Sequence, residues 1–163
     1  MSQYVVGRIQ EKFGAAVLST HASQGDDTVV IERGVLLDLL FFLRDDAELA
    51  FNLPIDLTVV DWYRLRELRF EVVYHLLSTS KRHRIRIKVP LDEDDLKLDS
   101  SFPVWPGLDW FEREAWDLYG VTFEGHPNHK RILMWEGFEG HPLRKDYPIN
   151  QRQPMTALLG EKA

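Results

Sequence analysis

The stretch that decides the fold, residues 55–89, reads IDLTVVDWYRLRELRFEVVYHLLSTSKRHRIRIKV. Apolar residues recur at every second position within it, for example at Phe70, Val72 and Tyr74. A period of two is the period of a β-strand that buries one of its two faces. The stretch therefore predicts three consecutive strands, the last of them over residues 82–89.

Two helices and a hairpin are predicted before this stretch. Val5 and Ile9 lie four residues apart, on one face of a short opening helix. Strands are expected at residues 16–20 and 28–32, and a leucine-rich run over residues 34–46 has helical spacing. The order helix, two strands, helix, three strands indicates an α+β fold. We expect a two-layer sandwich with a mixed sheet, formed by residues 1–90.

The rest of the chain contains an acidic link and one further helix, over residues 91–120. Asp109 is expected to cap this helix, with Glu112 as the other member of a capping box, and Gly120 ends it. Residues 121–163 combine many prolines and glycines with aromatic side chains. Such a segment favours an extended conformation lying against a partner protein.

Composition excludes several classes of function. The chain has 163 residues, 44% of them hydrophobic, and no cysteine, so iron-sulfur clusters, thiolate zinc sites and cysteine nucleophiles are excluded. The net charge of −6 disfavours a nucleic-acid partner. The most apolar stretch, residues 35–43, is shorter than the about 20 residues that span a bilayer, and no signal peptide is evident, so we expect a cytoplasmic location.

Two groups of ionisable residues invite a catalytic interpretation. His126, His129 and His141 suggest a metal-dependent hydrolase, although prolines follow the first and the last of them and favour turn or capping roles. Glu112, Glu114 and Asp117 could act as paired carboxylates in acid–base chemistry, and Glu114 and Asp117 are neighbours on the predicted helix. We expect these carboxylates instead to face solvent or a partner.

A row of four cations marks the third strand of the deciding stretch. Arg82, Arg84, Arg86 and Lys88 alternate with apolar residues, which places them on one sheet face. The row fits a solvated face neutralised by Glu71 and the acidic link, an acidic protein partner or, least well, RNA.

Two ordered groups of motifs in the second half of the chain form a distinctive pattern. They are Glu112-Arg113-Glu114, Asp117-Leu118-Tyr119-Gly120, His126-Pro127 and Arg131-Ile132-Leu133, followed by Gly140-His141-Pro142-Leu143-Arg144-Lys145-Asp146-Tyr147-Pro148. This pattern resembles the signature of one component of respiratory complex I, the thirty-kilodalton subunit family of NADH-quinone oxidoreductase. The string Asn128-His129-Lys130 departs from the residues common after the His-Pro pair.

The resemblance implies a peripheral-arm subunit of a proton-translocating NADH-quinone oxidoreductase, without a cofactor, metal or catalytic residue of its own. Its partners would be the quinone-site subunit and the iron-sulfur subunits. It would meet the membrane only through the complex, on the cytoplasmic side. Related subunits occur in membrane-bound nickel-iron hydrogenases and in quinone reductases with other electron donors, so the donor stays open.

The resemblance also implies docking residues, most of them in the segment that wraps the quinone-site subunit. They are Glu112, Arg113, Glu114, Asp117, His126, Arg131, His141, Arg144, Lys145 and Asp146.

Overall fold

The computed structural model describes residues 3–153, and all structural statements concern those residues. The elements in chain order are α1 (Gln3–Phe13), β1 (Val17–Ser23), β2 (Asp26–Ile31), α2 (Leu36–Asp45), β3 (Leu53–Asp61), β4 (Phe70–Ser78), β5 (His83–Leu91), β6 (Lys97–Asp99), α3 (Asp109–Tyr119) and β7 (Thr122–Glu124).

Five strands form one mixed sheet in the order β1-β2-β5-β4-β3. Only β2 and β5 run parallel, and the other neighbours in this sheet are antiparallel. The register places Val72 opposite both Val59 and Val89, so the apolar positions of three strands share one face. The predicted α+β class and mixed sheet are confirmed.

The core lies between this sheet face and the helices. Val5 and Ile9 of α1 are fully buried, and so are the four leucines that α2 turns toward the sheet, Leu36, Leu39, Leu40 and Leu43. Leu108 and Ala115 extend the same cluster to α3. Helical spacing of apolar residues therefore located all three helices.

Two local predictions were wrong. The side chain of Asp109 forms no capping hydrogen bond, because α3 is entered from a 3₁₀ turn at residues 106–108 and Leu108 occupies the capping position. Arg82 lies in the β4–β5 turn with φ 58°, and β5 begins one residue later. The row of strand cations therefore has three members.

A small parallel sheet was not predicted. β6 pairs with β7, which joins the acidic link to the residues directly after α3. Three-residue strands carry too little periodicity to be recognised in a sequence. β7 lies within the predicted extended segment, and beyond Glu124 the described chain contains no helix or strand. No helix within residues 3–153 has the length and apolar character needed to cross a bilayer.

Candidate functional site

Residues 126–153, called the strap below, lie against α3 and the ends of β3 and β4. A backbone hydrogen bond of 3.1 Å joins the Leu143 N–H to the Leu118 carbonyl. The remaining attachments are made by side chains of the core and the strap. Most of the expected docking residues take part in these attachments.

Asp117 of α3 forms the first attachment. Its carboxylate is fully buried, and Oδ2 accepts hydrogen bonds from three consecutive strap N–H groups, those of residues 132–134, at 2.8–3.1 Å. Arg131 Nη1 donates to Oδ1 at 2.5 Å. Burial alone would raise the pKa of Asp117, but the N–H donors and Arg131 hold the pKa below its usual value. Asp117 is therefore a buried anion and not a solvated charge, which corrects the sequence-based expectation.

Arg131 connects Asp117 to the rest of the strap. Its Nη2 donates to the Phe138 carbonyl at 2.6 Å and to the Gly140 carbonyl at 3.2 Å. The guanidinium also lies 5.5 Å from the ring centres of both Trp116 and Phe138. A planar group with five donors can make these contacts together, which a lysine cannot. Arg131 therefore folds the strap back on itself.

Gly120 allows the strap to approach the end of α3. Its φ of 85° is the left-handed conformation that ends many helices. A Cβ atom at this position would lie 2.6 Å from Arg144 Nη2 and 2.7 Å from the His141 ring. His141 Nδ1 lies 3.0 Å from the Asp117 carbonyl, and Arg144 Nε donates to the Tyr119 carbonyl at 2.7 Å. The two strap side chains thus satisfy carbonyls that the helix end leaves free.

Arg69 forms the second attachment, which the sequence analysis missed. Only 5% of its side chain is exposed, and it donates to Asp61 at 2.9 Å, to Asp146 at 2.5 Å and to Glu93 at 2.6 Å. The Lys145 N–H donates to Asp61 Oδ2 at 2.8 Å. Desolvation opposes ionisation of Asp61, but Arg69 and the N–H donors lower its pKa overall.

Asp61 follows Leu57 and Val59 at the same period of two, so its inward position was readable from the sequence.

Glu112 is also buried, contrary to the expectation of a solvated or partner-facing charge. Its carboxylate accepts hydrogen bonds from the Ser100 hydroxyl at 2.6 Å, the Ser101 N–H at 2.6 Å and the Ser101 hydroxyl. Burial outweighs these donors and raises the pKa of Glu112. His126 Nε2 lies 3.9 Å from this carboxylate and 3.1 Å from Asp109 Oδ1. Glu112 therefore joins the residues after β6 to α3.

The three candidate metal ligands do not converge. The rings of His126 and His129 are 5.6 Å apart, whereas His141 lies beside Gly120 at the other end of α3. His129 Nε2 accepts the Phe123 N–H at 3.2 Å. Among residues 3–153 no group of three His, Asp or Glu side chains has a metal-binding arrangement. The geometry gives the hydrolase interpretation no support.

The strand cations are largely neutralised within the chain. Lys88 contacts Glu71 at 2.7 Å, and Arg86 lies 3.7 Å from Asp26, while Arg84 is exposed. The acidic link does not contribute as expected, because its Glu93 contacts Arg69 instead. This pattern fits the solvated-face interpretation and leaves RNA binding without a concentrated basic surface.

The outward side of the strap is apolar in places. Leu133 is 56% exposed and Leu143 is 50% exposed. The side chains of Glu114 and Lys145 are also exposed. Arg113 donates to the Lys130 carbonyl at 3.0 Å and to the Arg131 carbonyl at 2.9 Å. Residues 3–153 therefore leave apolar and charged side chains of the strap and α3 uncovered.

Residues 29–153 match the family model described as respiratory-chain NADH dehydrogenase, 30 Kd subunit. The chain belongs to this family. An NADH-quinone oxidoreductase subunit from Rhizobium johnstonii (strain DSM 114642 / LMG 32736 / 3841) is 54% identical over 138 residues, which are 85% of this chain and 68% of the relative. The resemblance read from the motifs is thereby confirmed, and the chain is one of the subunits of NADH-quinone oxidoreductase.

Two solved structures share the fold of this family member. A trypsin-resistant fragment (1–134) of Nqo5 has a TM-score of 0.68 at 26% identity, over 77% of this chain and 97% of the fragment. A chain of the membrane-bound sulfane sulfur reductase, an archaeal respiratory membrane complex, has a TM-score of 0.72 at 25% identity, over 91% of this chain and 86% of that one.

The Glu112 contacts predict a difference between two substitutions. Glu112→Gln retains an acceptor for Ser101 and provides a donor for Ser100, so we expect the free energy of unfolding to change by less than about 1 kcal/mol. Glu112→Ala leaves buried hydroxyl and N–H donors without acceptors and should cost about 2–4 kcal/mol. Urea denaturation at pH 7 measures both. Equal losses would contradict the hydrogen-bond assignment.

Burial also predicts a pH dependence of stability. It lowers the pKa of both His129 and His141, so the folded chain keeps these imidazoles neutral where the unfolded chain already binds protons. Stability from these residues is present above about pH 6.5 and is lost as the pH falls through the folded-state pKa values. Between pH 7 and 5 these two imidazoles should lower the thermal midpoint of the chain. The midpoint of the His141→Gln variant should decrease less steeply. An equally steep decrease for the His141→Gln variant would contradict this assignment.

Proposed function

We propose that the chain is a non-redox structural subunit in the peripheral arm of a proton-translocating NADH-quinone oxidoreductase, without catalytic residues of its own. Its partners in this proposal are the quinone-site subunit and the iron-sulfur subunits. The absence of cysteine supports a role without an iron-sulfur cluster. The assembly would lie on the cytoplasmic side of the membrane, and this chain would meet the membrane only through the complex.

We further propose that the strap, within the expected wrapping segment 121–163, docks the quinone-site subunit. The observation that carries this proposal is that buried ionic contacts at Asp117 and Arg69 hold an irregular segment in place, while its Leu133 and Leu143 remain exposed. A segment ordered before association loses less conformational entropy on binding. The strap is therefore well suited to form an interface.

The ten expected docking residues divide into two roles in this proposal. One set makes contacts within the chain, and these contacts involve strap residues in every case except the hydrogen bonds from Ser100 and Ser101 to Glu112. This set is Glu112, Arg113, Asp117, His126, Arg131, His141, Arg144 and Asp146. Glu114 and Lys145 have exposed side chains and would contact the partner directly. Arg144 and Asp146 would then act through the shape of the strap, since Asp146 already pairs with Arg69.

A second assignment keeps the docking role and changes the electron donor. The likeness to a chain of an archaeal sulfane sulfur reductase supports it, because that membrane complex is named for a different chemistry. In this second assignment the chain could equally be the corresponding subunit of a related membrane-bound nickel-iron hydrogenase. Nucleic acid is not expected as a partner in either case, because Lys88 and Arg86 are engaged with Glu71 and Asp26.

Co-purification tests the proposal. The tagged chain is isolated from its own cells in mild detergent, and the associated subunits are identified by mass spectrometry alongside an assay of NADH-quinone activity. Leu133→Asp combined with Leu143→Asp should reduce recovery of the complex at least about tenfold, because charges would enter an apolar interface. The matched control is Leu53→Asp, at a leucine of β3 that is 44% exposed, and this variant should leave recovery of the complex unchanged.

The outcomes separate the two assignments. Recovery of flavin and iron-sulfur subunits with NADH activity supports the first, and recovery of hydrogenase or sulfur-reductase subunits supports the second. Full recovery with the strap variant contradicts docking through the strap, and isolation of the chain alone contradicts both assignments.

A further inference from the structure

A cavity with both polar and apolar lining lies between α1 and the β1–β2 hairpin, at the opposite edge of the sheet from β3. Its volume is about 480 Å³, within the range of about 300–1,000 Å³ that is common for ligand pockets. Its lining includes Gln3, Gly7 and Gln10 of α1, Thr20 and His21 of β1, and Asp27 of β2. The cavity is separate from the strap, which contacts α3, β3 and β4.

Asp27 is the unusual residue in this cavity. It lies on the sheet face of the core residues Val29 and Ile31, opposite Ala22 of β1, and only 7% of it is exposed. Its Oδ2 is buried and has no hydrogen-bond partner among residues 3–153. A buried carboxylate oxygen without a donor is unfavourable, and a cation that entered the cavity would supply that donor.

Within residues 3–153, no Arg or Lys side chain pairs with Asp27. Arg8 of α1 donates to Asp46 at 2.7 Å, and Lys12 lies 4.1 Å from the centre of the Phe42 ring, so both point toward α2. The acidic neighbour Asp26 contacts Arg86, which belongs to the opposite sheet face. Among the lining residues, His21 alone can carry a positive charge, and it forms no ion pair with Asp27 in the described chain.

The rest of the lining suits a planar cation. Gln3, Gly7 and Gln10 recur at i, i+4 and i+7, so they share one helix face, and the Cα atoms of the two glutamines are about 10 Å apart along the helix axis. Between them Gly7 leaves open space, since a Cβ atom there would have no neighbour within 4 Å. Amide oxygens beside a carboxylate offer acceptors to several N–H groups at once. A guanidinium carries five such donors and pairs with a carboxylate through two of them.

We propose that this cavity receives an arginine side chain of a partner protein, paired with Asp27 and flanked by the amides of Gln3 and Gln10. The charge of the cavity selects a cation, and the carboxylate with its amide oxygens selects a guanidinium over an ammonium. This contact constitutes a second interaction surface on the chain, independent of the strap. It depends on the proposed function only in requiring that the chain has a protein partner.

The first test uses the isolated full chain. Asp27→Asn removes an unpaired buried charge, so its thermal midpoint should rise by about 3 °C, whereas Glu11→Gln, at an exposed carboxylate of α1, should not change it. Ethylguanidinium should shift the side-chain amide signals of Gln3 and Gln10 in nuclear magnetic resonance spectra, saturably and at lower concentration than ethylammonium. Asp27→Asn should abolish these shifts.

The second test uses the tagged complex. Asp27→Asn and Gly7→Leu, which fills the open space, should each reduce recovery of the complex about tenfold, and Glu11→Gln should leave it unchanged. Unchanged recovery with both cavity variants overturns the proposal. An equal response to the two cations, or a fall in midpoint for Asp27→Asn, overturns it as well. If the unmodified chain recovers no partner, the proposed function fails, whereas the isolated chain still decides whether the cavity selects a guanidinium.

Discussion

Asp117→Ala should lower the free energy of unfolding of the isolated chain by about 3–5 kcal/mol, the largest effect we expect from a single substitution. The substitution leaves Arg131 and three strap N–H groups without their acceptor. Asp117→Asn should cost less, because its remaining oxygen still accepts from the N–H groups. Urea denaturation measures the loss, and trypsin cleavage after Lys130 and Arg131 should become faster in parallel.

The control for this substitution is on the same helix. Glu114 is exposed, so Glu114→Ala should change stability by no more than about 0.5 kcal/mol. If Asp117→Ala reduced stability without faster cleavage in the strap, the carboxylate would stabilise α3 and not the strap. That result would remove the structural basis for a strap that is ordered before association.

Arg69→Met is expected to have a similar effect, about 3–5 kcal/mol, through a different part of the molecule. The substitution leaves the carboxylate of Asp61, whose side chain is 1% exposed, without its cation, and it removes the ion pair that holds Asp146 of the strap. Stability is measured by urea denaturation, and release of the strap by hydrogen exchange of the Lys145 N–H, which donates to Asp61. Arg64→Met, at an exposed arginine of the same loop, is the matched control and should be nearly neutral.

A double-mutant cycle distinguishes an ion pair from simple packing of the arginine. Combined with Asp61→Asn, the Arg69→Met substitution should cost less than the sum of the two single changes by about 2 kcal/mol. Additive losses would mean that Arg69 and Asp61 do not stabilise the chain as a pair. The stabilisation by Arg69 would then come from its contacts with Glu93 and Asp146 or from the packing of its alkyl chain.

The two attachments have a common physical consequence for assembly. The strap has no helix or strand, so its order depends on a few side chains that reach it from α3 and from the β3–β4 connection. Substitutions at Asp117 or Arg69 should therefore reduce association with a partner, although neither residue contacts the partner. In a screen of variants, such residues would be mistaken for contact residues.

Residue patterns alone were sufficient for the strands of the five-stranded sheet and for the three helices, but not for the small β6–β7 sheet. Alternation at Phe70, Val72 and Tyr74 and the four-residue spacing of Val5 and Ile9 predict element type, because burial of one face imposes a period on the sequence. The motifs around Glu112 and Asp117 were sufficient to recognise the family. Asp61 continues the period of two of Leu57 and Val59, so its inward position could have been predicted, whereas its partner Arg69 could not be read from the chain.

Only the tertiary structure decided what the charged residues do. The Asp117–Arg131 pair and the Arg69–Asp146 pair join positions 14 and 77 residues apart, and no local rule relates them. Burial of Glu112 depends on Ser100 and Ser101 arriving from β6, whose three residues are too few to predict. A carboxylate has the same sequence signature whether it is solvated, paired or left unpaired as at Asp27. The difference lies in which groups the fold brings to it, because ionisation and hydrogen bonding depend on distance and exclusion of water and not on order along the chain.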